Sequence, residues 1–223
     1  MQSRSLVIGA NGTIGSALCD LLAPQTELHR LSRENCDYTS QQLQQYATKL
    51  AEFGEFDRIL CCIGALHNDR IQPEKKLADL DPEVLAEYFY INTILPAMML
   101  RWFSPLLRKQ APSHFILLSA MVGSIEDNKL GGWYGYRSAK AALNQITRTA
   151  AVELRRLKPK ACVVAAHPGT TRGELTAPYA RNIKQAKYYT PTESASRMLA
   201  LTEHLTEQDS GGFFNWDGAP LPW

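Results

Sequence analysis

The stretch Leu6-Val7-Ile8-Gly9-Ala10-Asn11-Gly12-Thr13-Ile14-Gly15 decides the fold of this 223-residue chain. It joins a short apolar run to an apolar helical segment through glycines in the pattern G-x-x-G-x-x-G. Glycines at such a place permit a tight turn, let the backbone approach a pyrophosphate and let the helix pack closely on the strand. The start of the helix adds N–H donors and the positive end of a dipole. Unless these glycines serve packing alone, we predict dinucleotide contacts from Gly9, Asn11, Gly12, Thr13, Ile14 and Gly15.

Apolar runs of strand length alternate with longer amphipathic segments along the rest of the chain. This alternation predicts a single α/β domain over residues 1–223, of Rossmann type, with a doubly wound parallel sheet of about seven strands and helices on both faces. The predicted strands are Ser5–Ile8, Glu27–Leu31, Arg58–Ile63, His114–Ser119, Ala161–His167, Phe213–Trp216 and a short one near Asn35–Asp37. The predicted helices are Ile14–Leu22, Gln41–Phe53, Pro82–Leu107, Tyr134–Leu157 and Thr192–Glu203, with Asp81 and Thr192 as N-caps.

The composition excludes several classes of protein. Twenty-four Lys and Arg against twenty-two Asp and Glu give a net charge of +2, too small for a general nucleic-acid binder. The longest apolar runs, Ile59–Ile63 and Ile94–Leu100, are far shorter than the ~18 residues that span a membrane. Met1–Ala10 holds too short an apolar segment for a secretory signal. The five cysteines are an odd number without C-x-x-C spacing, so we expect reduced thiols, no metal site and a cytoplasmic protein.

The second predicted strand ends in Leu31-Ser32-Arg33, where the adenosine half of a dinucleotide would lie. A carboxylate at this place binds the free ribose 2′-hydroxyl, whereas an arginine accepts a 2′-phosphate. The first charged residue here is Arg33, so we predict a preference for NADP(H) over NAD(H). An inward-facing Glu34 would favour NAD(H) instead. Asp37 is a predicted contact to the adenine amino group, with a turn or helix cap as its alternative role.

Ser119 closes a predicted strand, and Tyr136 and Lys140 follow at the start of a predicted helix. Because Tyr136 and Lys140 are four residues apart, they lie on one helix face, about 6 Å apart at Cβ. A tyrosine can donate a proton to a developing alkoxide, and a neighbouring cation favours the phenolate that remains. The Ser119 hydroxyl would add a hydrogen bond to the same oxygen. The three residues predict acid–base chemistry on a carbonyl or alcohol, and the alternative is a set of unrelated surface side chains.

The segment Gly169–Pro191 has no clear hydrophobic period and follows the predicted strand Ala161–His167. In open α/β sheets, ligands bind at the carboxyl ends of the strands. We therefore predict that this segment covers the substrate, and the alternative is an ordinary surface loop. It has few large apolar residues, so we expect weak anchoring to the rest of the chain.

The glycine turn, Ser119, Tyr136 and Lys140, in this order, resemble the short-chain dehydrogenase/reductase family over essentially the whole chain. Five further stretches are similar to its C-factor and sniffer-like carbonyl reductase branch: Cys62–His67, Leu118–Ile125, Gly131–Tyr134, His167–Thr170 and Phe213–Gly218. The resemblance implies a nicotinamide cofactor with Lys140 on its ribose. It also implies a tetrad completed by Asn92, which in the family helps hold a water of a proton relay. The other cofactor contacts it implies are Gly64, Tyr136, Pro168, Gly169, Thr170 and Thr171.

The sequence departs from the family pattern at three places. Cys61-Cys62-Ile63-Gly64 stands where the family usually has Asn-Asn-Ala-Gly, although Gly64 still allows close approach of a cofactor. Gly173 stands where many members have a threonine that contacts the nicotinamide carboxamide. An insert around Ile125–Gly132 lengthens the gap between Ser119 and Tyr136, and we expect it to form part of the pocket rim.

These observations predict an NADP-dependent oxidoreductase that transfers a hydride between the nicotinamide and a small carbonyl or alcohol substrate. The alternative is an NAD(P)-binding signalling or regulatory protein with little or no catalysis, which an intact Ser119, Tyr136 and Lys140 disfavour. A nucleotide-sugar epimerase or dehydratase is disfavoured because only eight residues follow Asn215. The apolar helical segments Tyr88–Leu107 and Leu143–Leu154 suit a homodimer or homotetramer, and equally suit packing on the chain's own sheet.

Overall fold

The structure, a computed structural model, describes residues 3–223, apart from the side chain of Asn182. Within this range the chain forms eight strands and six α-helices. The strands are β1 (Arg4–Ile8), β2 (Glu27–Leu31), β3 (Arg58–Cys61), β4 (Ser113–Leu118), β5 (Ala161–His167), β6 (Thr170–Thr171), β7 (Tyr188–Tyr189) and β8 (Phe213–Asn215). The α-helices are α1 (Thr13–Leu22), α2 (Ser40–Ala51), α3 (Pro82–Phe89), α4 (Leu95–Phe103), α5 (Tyr134–Leu157) and α6 (Pro191–His204).

Six of the strands form a parallel sheet in the order β2-β1-β3-β4-β5-β8. The chain moves from β1 to β2 on one side and then crosses to β3, so that Ile8 pairs with both Leu31 and Cys61. This change of direction opens a crevice at the carboxyl ends of β1 and β3, where ligands bind in doubly wound sheets. The predicted α/β fold with a parallel, doubly wound sheet is confirmed.

The central strands are buried because helices cover both faces of the sheet. All six residues of β4 are buried, as their continuous apolar character predicts. Leu43 and Leu143 bring α2 and α5 to the core on one face. Leu18 and Met198 bring α1 and α6 to the core on the other face. The two cores hold the carboxyl ends of the strands in fixed positions at one edge of the sheet.

The predicted short strand near Asn35–Asp37 is wrong, because side chains take the hydrogen bonds that a ladder would need. The Asn35 side chain accepts from the N–H of Ser32 at 2.9 Å and donates to the carbonyl of Arg30 at 2.9 Å. The hydroxyl of Tyr46 also donates to the Arg30 carbonyl, at 2.8 Å. The main sheet therefore has six strands, and β2 is its edge.

The predicted single helix Pro82–Leu107 is interrupted by a π-helical turn at Tyr90–Ile94. Pro96 has no N–H to donate to the carbonyl of Asn92 four residues earlier, and its ring crowds that carbonyl. Single π-turns of this kind occur frequently at functional sites. The turn holds Asn92 fully buried at the junction of α3 and α4.

The two predicted N-caps differ in outcome. Asp81 caps α3 as predicted, since its carboxylate accepts two N–H groups of the first turn at 3.0 Å. The prediction of Thr192 is wrong, because α6 begins earlier, at Pro191. Its cap is Thr190, whose hydroxyl accepts the N–H of Glu193 while the Glu193 carboxylate accepts the N–H of Thr190.

Two expectations from composition concern thiols and membranes. All five cysteines are free thiols; four are buried and Cys62 is half-buried. Within residues 3–223, no helix combines the length and the apolar character that crossing a bilayer requires.

Candidate active site

The glycine turn lies in the crevice between β1 and β3. Gly9 has φ +78° and donates its N–H to the carbonyl of Leu31 at 2.8 Å. A Cβ on Gly15 would stand 2.1 Å from the carbonyl oxygen of Gly9, so only glycine allows α1 to pack this closely on the turn. A Cβ on Gly9 would stand 3.2 Å from the main chain of Cys62, just after β3. The predicted strand, turn and helix are confirmed.

The start of α1 has the character of an anion site. Gly12 is the N-cap and offers no side-chain acceptor, and the first turn holds no acidic residue. Asn11, Gly12 and Thr13 are exposed, with Ile14 half-buried behind them. Unpaired N–H groups and the positive end of the helix dipole therefore face the crevice. This donor set fits the pyrophosphate of a dinucleotide.

Arg33 and Asp37 follow β2 at the adenosine end of the crevice. Arg33 is exposed, and within residues 3–223 its guanidinium makes no hydrogen bond or ion pair. Asp37 uses its carboxylate locally, accepting from the N–H of Thr39 at 2.9 Å and from the side chain of Gln42 at 2.9 Å. Asp37 thus has the turn role that the sequence left as its alternative, and an adenine contact remains a prediction.

Lys140 and Asn92 meet at Gly64, directly after β3. A Cβ on Gly64 would lie 3.0 Å from the Nζ of Lys140 and 3.1 Å from the Oδ1 of Asn92. Lys140 donates to the carbonyl of Leu118 at 2.9 Å. The Asn92 amide accepts from the N–H of Ala65 at 3.0 Å and donates to its carbonyl at 2.9 Å. Residues from three separate elements therefore converge on one point of the crevice, and Gly64 leaves the space for them.

Burial controls the charge of Lys140. The side chain is only 2% exposed, and this burial lowers the pKa of Lys140 from 10.5 to about 8, with the nearby Cys61 thiol acting in the opposite direction. The ammonium form is therefore the major form at neutral pH. Its Nζ lies 5.9 Å from the centroid of the Tyr136 ring, so a positive charge stands beside the phenol.

The pH dependence of stability should report this buried charge. Between pH 8 and 10.5 the unfolded chain binds the Lys140 proton and the folded chain releases it, so stability rises with pH. The fall in pKa from 10.5 to about 8 corresponds to about 3 kcal/mol. Relative to Lys140→Met, the wild type should gain about this free energy of unfolding across the window, measured by urea denaturation. A difference between the two chains that does not change with pH would contradict the prediction.

Ser119 is held by a residue that sequence reasoning missed. Its hydroxyl donates to the Oδ1 of Asn144 at 2.7 Å, and both side chains are buried. The Asn144 amide also faces the carbonyl of Gly123, at 3.5 Å. Asn144 follows Lys140 by four residues on the same face of α5, and this spacing was the signal in the sequence.

Tyr136 lies in a cluster of aromatic side chains. It is 7% exposed, and burial raises its pKa above the ordinary value, so the phenol stays protonated at neutral pH. The rings of Tyr88 and Trp133 each lie 6.4 Å from the Tyr136 ring between centroids. Tyr179, from the segment 169–191, packs on Trp133 at 5.3 Å and lies 6.3 Å from His67. The rings of Tyr88 and Trp133 thus pack near Tyr136, with Tyr179 against Trp133, and the sequence did not single out Trp133 or Tyr179.

The segment Gly169–Pro191 contacts the start of α1 and is better anchored than its composition predicts, while its role as a substrate cover stays a prediction. A Cβ on Gly173 would stand 2.7 Å from the hydroxyl of Thr13, so the segment reaches the start of α1. Arg197 of α6 lies against the rings of Tyr189 and Trp216, at 3.6 and 3.7 Å from the two centroids. The expected weak anchoring is therefore wrong at the carboxyl end, where a cation between two aromatic rings fixes the chain.

The start of the same segment has a regular structure. Gly169 has φ +82°, and Thr170 and Thr171 form β6, a parallel pair with β7. The Thr171 hydroxyl shares a 2.7 Å hydrogen bond with Ser194 of α6. These contacts place Pro168, at the end of β5, and the next three residues on the strand edge that also carries the glycine turn. Their contacts with a nicotinamide remain a prediction.

The insert around Ile125–Gly132 leads directly to Trp133 of the aromatic cluster around Tyr136. Gly131 and Gly132 both have φ +66°, and the side chain of Arg137 donates to their carbonyl groups at 3.3 and 3.0 Å. Trp133 follows at once and packs near Tyr136. A part of the insert in the pocket rim stays a prediction.

The comparison with known families decides the classification. A family model described as enoyl-(acyl carrier protein) reductase matches residues 18–207. The chain belongs to the short-chain dehydrogenase/reductase family. It is an oxidoreductase, and the predicted family is confirmed.

Individual relatives agree with this classification. The chain is 30% identical over 189 residues to 1-hydroxy-2-glutathionyl-2-methyl-3-butene dehydrogenase of Rhodococcus sp. (strain AD45), covering 84% of this chain and 78% of the relative. It is 32% identical over 148 residues to the C-signal of Myxococcus xanthus, covering 66% and 83%. The fold matches the carbonyl reductase Sniffer of D. melanogaster, with a TM-score of 0.81, 20% identity and 100% of both chains covered. It also matches the NADPH-bound carbonyl reductase from chicken fatty liver, with a TM-score of 0.80, 22% identity and 100% and 94% covered.

Proposed function

We propose that this chain is an NADP-dependent oxidoreductase that interconverts a small carbonyl compound and its alcohol, with Tyr136 as the general acid or base. The observation that carries the proposal is the convergence of Lys140 and Asn92 at Gly64, with the Lys140 ammonium 5.9 Å from the Tyr136 ring. All of these groups lie beside the glycine turn, in the crevice at the switch point of the sheet. The location is where a nucleotide and a substrate would meet.

The pocket residues divide the chemistry between them. In reduction, the Tyr136 hydroxyl donates its proton to the oxygen of the carbonyl as negative charge develops there. Lys140 stabilises the phenolate that remains, because its ammonium is close and little screened in a buried site. The Ser119 hydroxyl, which donates to Asn144 in the structure, would turn its one hydrogen to the same oxygen when substrate is bound. In oxidation, the same groups act in reverse.

The residues of the crevice fit a nicotinamide dinucleotide. The first turn of α1 would hold its pyrophosphate, Arg33 its 2′-phosphate, and Lys140 with Tyr136 its nicotinamide ribose. When bound, the nicotinamide supplies or accepts the hydride. Gly64 and the chain from Pro168 to Thr171 would line the nicotinamide half. The free thiols of the chain fit a reducing compartment, and we place the protein in the cytoplasm.

A direct assay tests the proposal. Benzaldehyde, acetophenone and diacetyl represent an aldehyde, a ketone and a diketone of small size, which the aromatic cluster around Tyr136 would accept. Each is mixed with NADPH and the chain, and loss of the nicotinamide absorbance is followed. Turnover of any of them supports the proposal.

The similarity to the C-signal favours a second candidate, a regulatory protein that binds NAD(P) with little catalysis. This candidate predicts NADPH binding by fluorescence titration without turnover of any carbonyl in the panel. The intact set of Ser119, Tyr136 and Lys140 favours the enzyme.

We expect NADPH to slow hydrogen exchange in the middle of the segment Gly169–Pro191, at residues 172–187. Gly173 packs on Thr13 at the start of α1, so a pyrophosphate at α1 would lie next to the segment. The anchored ends, at Thr171 and Tyr189, should change less. Exchange is measured by mass spectrometry with and without NADPH, and α2, outside the crevice, is the internal reference. Equal exchange of residues 172–187 in both samples would contradict the proposed cover.

A further inference from the structure

Glu74 is a buried carboxylate that the proposed chemistry does not use. It lies in the loop between β3 and α3 and is only 4% exposed. Within residues 3–223 it forms no ion pair. Both carboxylate oxygens lie 3.2 Å from the N–H of Gly135. A buried carboxylate is normally paired with an opposite charge. Because Glu74 lacks such a partner within residues 3–223, a specific role in the fold would explain its burial.

The start of α5 needs the acceptors that Glu74 provides. Its N-cap, Trp133, makes no side-chain cap, and the first turn of α5 holds no acidic residue. The carbonyl of Glu74 accepts the N–H of Trp133 at 2.6 Å, while the Glu74 carboxylate accepts the N–H of Gly135. A distant loop thus satisfies two donors at this helix start and brings negative charge to the positive end of the dipole.

The same contacts hold an unfavourable backbone conformation. Trp133 has φ +54°, in the left-handed region that a bulky side chain rarely adopts. Gly131 and Gly132 before it are also left-handed. Such a conformation persists only when surrounding contacts determine it. Here the main-chain carbonyl of Glu74 accepts the Trp133 N–H, and the Arg137 side chain donates to the two glycine carbonyls.

Glu74 fixes the backbone immediately before Tyr136. A Cβ on Gly135 would stand 2.8 Å from the Glu74 carboxylate and 2.3 Å from the ring of Tyr88, so no side chain fits between them. Tyr88 is anchored in turn by its hydroxyl, which donates to the carbonyl of Leu66 at 2.7 Å. The position of Gly135 is therefore determined on both sides, and with it the position from which Tyr136 enters the pocket.

We propose that the Glu74 side chain is a positioning residue for Tyr136. It acts as the cap of α5, supplied from a loop about sixty residues away in sequence. The inference rests on the proposed function, because it assumes that Tyr136 is the proton donor. The proposal assigns Glu74 no contact with substrate or cofactor.

Two substitutions of similar size test the role. Glu74→Gln keeps one oxygen acceptor for Gly135, so kcat should stay within about threefold of the wild type. Glu74→Leu fills the same space without an acceptor, so kcat should fall about 10- to 100-fold because small misplacements of catalytic groups have effects of this size. The Kd for NADPH, from fluorescence titration, should change less than twofold in both. Equal kcat in the leucine variant and the wild type, or an equal loss in both variants, would overturn the proposal.

A control separates positioning from general stability. Asp81→Ala removes the exposed cap of α3 and should lower Tm by about 2–4 °C without changing kcat.

In a Tyr136→Phe background, Glu74→Leu should cause no further loss of the residual rate, because it acts through the missing hydroxyl. A further loss of tenfold in that background would show that Glu74 acts elsewhere.

One measurement needs neither a variant nor turnover. The Gly135 N–H belongs to the first turn of α5, where amides ordinarily lack a partner and exchange rapidly. In the wild type it should exchange as slowly as amides in the middle of α5, as followed by NMR. Rapid exchange would overturn the inference even if Glu74→Leu fails to fold. Conversely, an active Tyr136→Phe variant with a slow Gly135 amide would overturn the proposed function and leave Glu74 only its structural role as the cap of α5.

Discussion

Replacement of Tyr136 by phenylalanine should leave the fold intact, weaken NADPH binding only by the loss of one ribose contact, and remove almost all turnover. The change deletes one hydroxyl and keeps the ring that packs near Tyr88 and Trp133. General acid–base catalysis is worth about 10²–10⁴ in rate, and the loss should be at least that large. The measurements are kcat for the panel carbonyl that reacts fastest and the Kd for NADPH.

A neighbouring tyrosine supplies the matched control for this variant. Tyr134 begins α5 and is half-buried, but it is outside the group of residues that converges at Gly64. Tyr134→Phe should keep kcat within about twofold of the wild type. If Tyr136→Phe retained more than a tenth of wild-type activity, Tyr136 would not be the acid.

The elements predicted most accurately are those whose signal is local. The bounds of Glu27–Leu31, Ala161–His167 and Tyr134–Leu157 are the same in the prediction and in the structure. Continuous apolar runs identify buried parallel strands, and a long amphipathic period identifies α5. The glycine turn was predictable for a similar reason, because its glycines and its place after a strand are both visible in the sequence.

The errors arose where a single side chain or ring changes the backbone hydrogen bonds. The Asn35 side chain hydrogen-bonds to the backbone of Ser32 and Arg30, which removes the partners that a short strand would need. The residues around Asn35 nevertheless resemble a strand in the sequence. Pro96 converts part of a uniform apolar helix into the π-turn that carries Asn92. Both effects depend on which alternative hydrogen bond is stronger, and periodicity does not contain that information.

The reactive residues were predictable and their supports were not. Ser119, Tyr136 and Lys140 belong to a recognisable pattern, and the structure brings Lys140 together with Asn92. Asn144 and Glu74 make their contacts across the fold, with residues 25 and 61 positions away. Buried polar groups are satisfied by whichever partner the tertiary structure presents. A single sequence therefore identifies such supports only when, as for Asn144, they share a helix face with a reactive residue.

The preference between the two nicotinamide dinucleotides depends on the end of β2. Ser32 is buried there, while Arg33 and Glu34 are both exposed. The Asn35 side chain fixes this turn by bonding to Ser32 and Arg30, so Arg33 projects from a defined backbone. A guanidinium that makes no hydrogen bond or ion pair within residues 3–223 is available to a phosphate, and Glu34 remains the competing residue for ribose hydroxyls.

Arg33→Ala should weaken NADPH binding about ten- to a hundredfold and leave NADH binding nearly unchanged. The loss corresponds to one charge-assisted, bidentate contact of about 1.5–3 kcal/mol. Arg30→Ala removes the same charge from an exposed position in β2, three residues earlier, and should have little effect on either cofactor. Because the phosphate contact is partly exposed, the advantage of NADPH over NADH should shrink as salt rises. The prediction fails if the wild type binds NADH and NADPH equally well, or if Arg33→Ala weakens the binding of both equally. Either result would mean that another residue, or none, binds the 2′-phosphate.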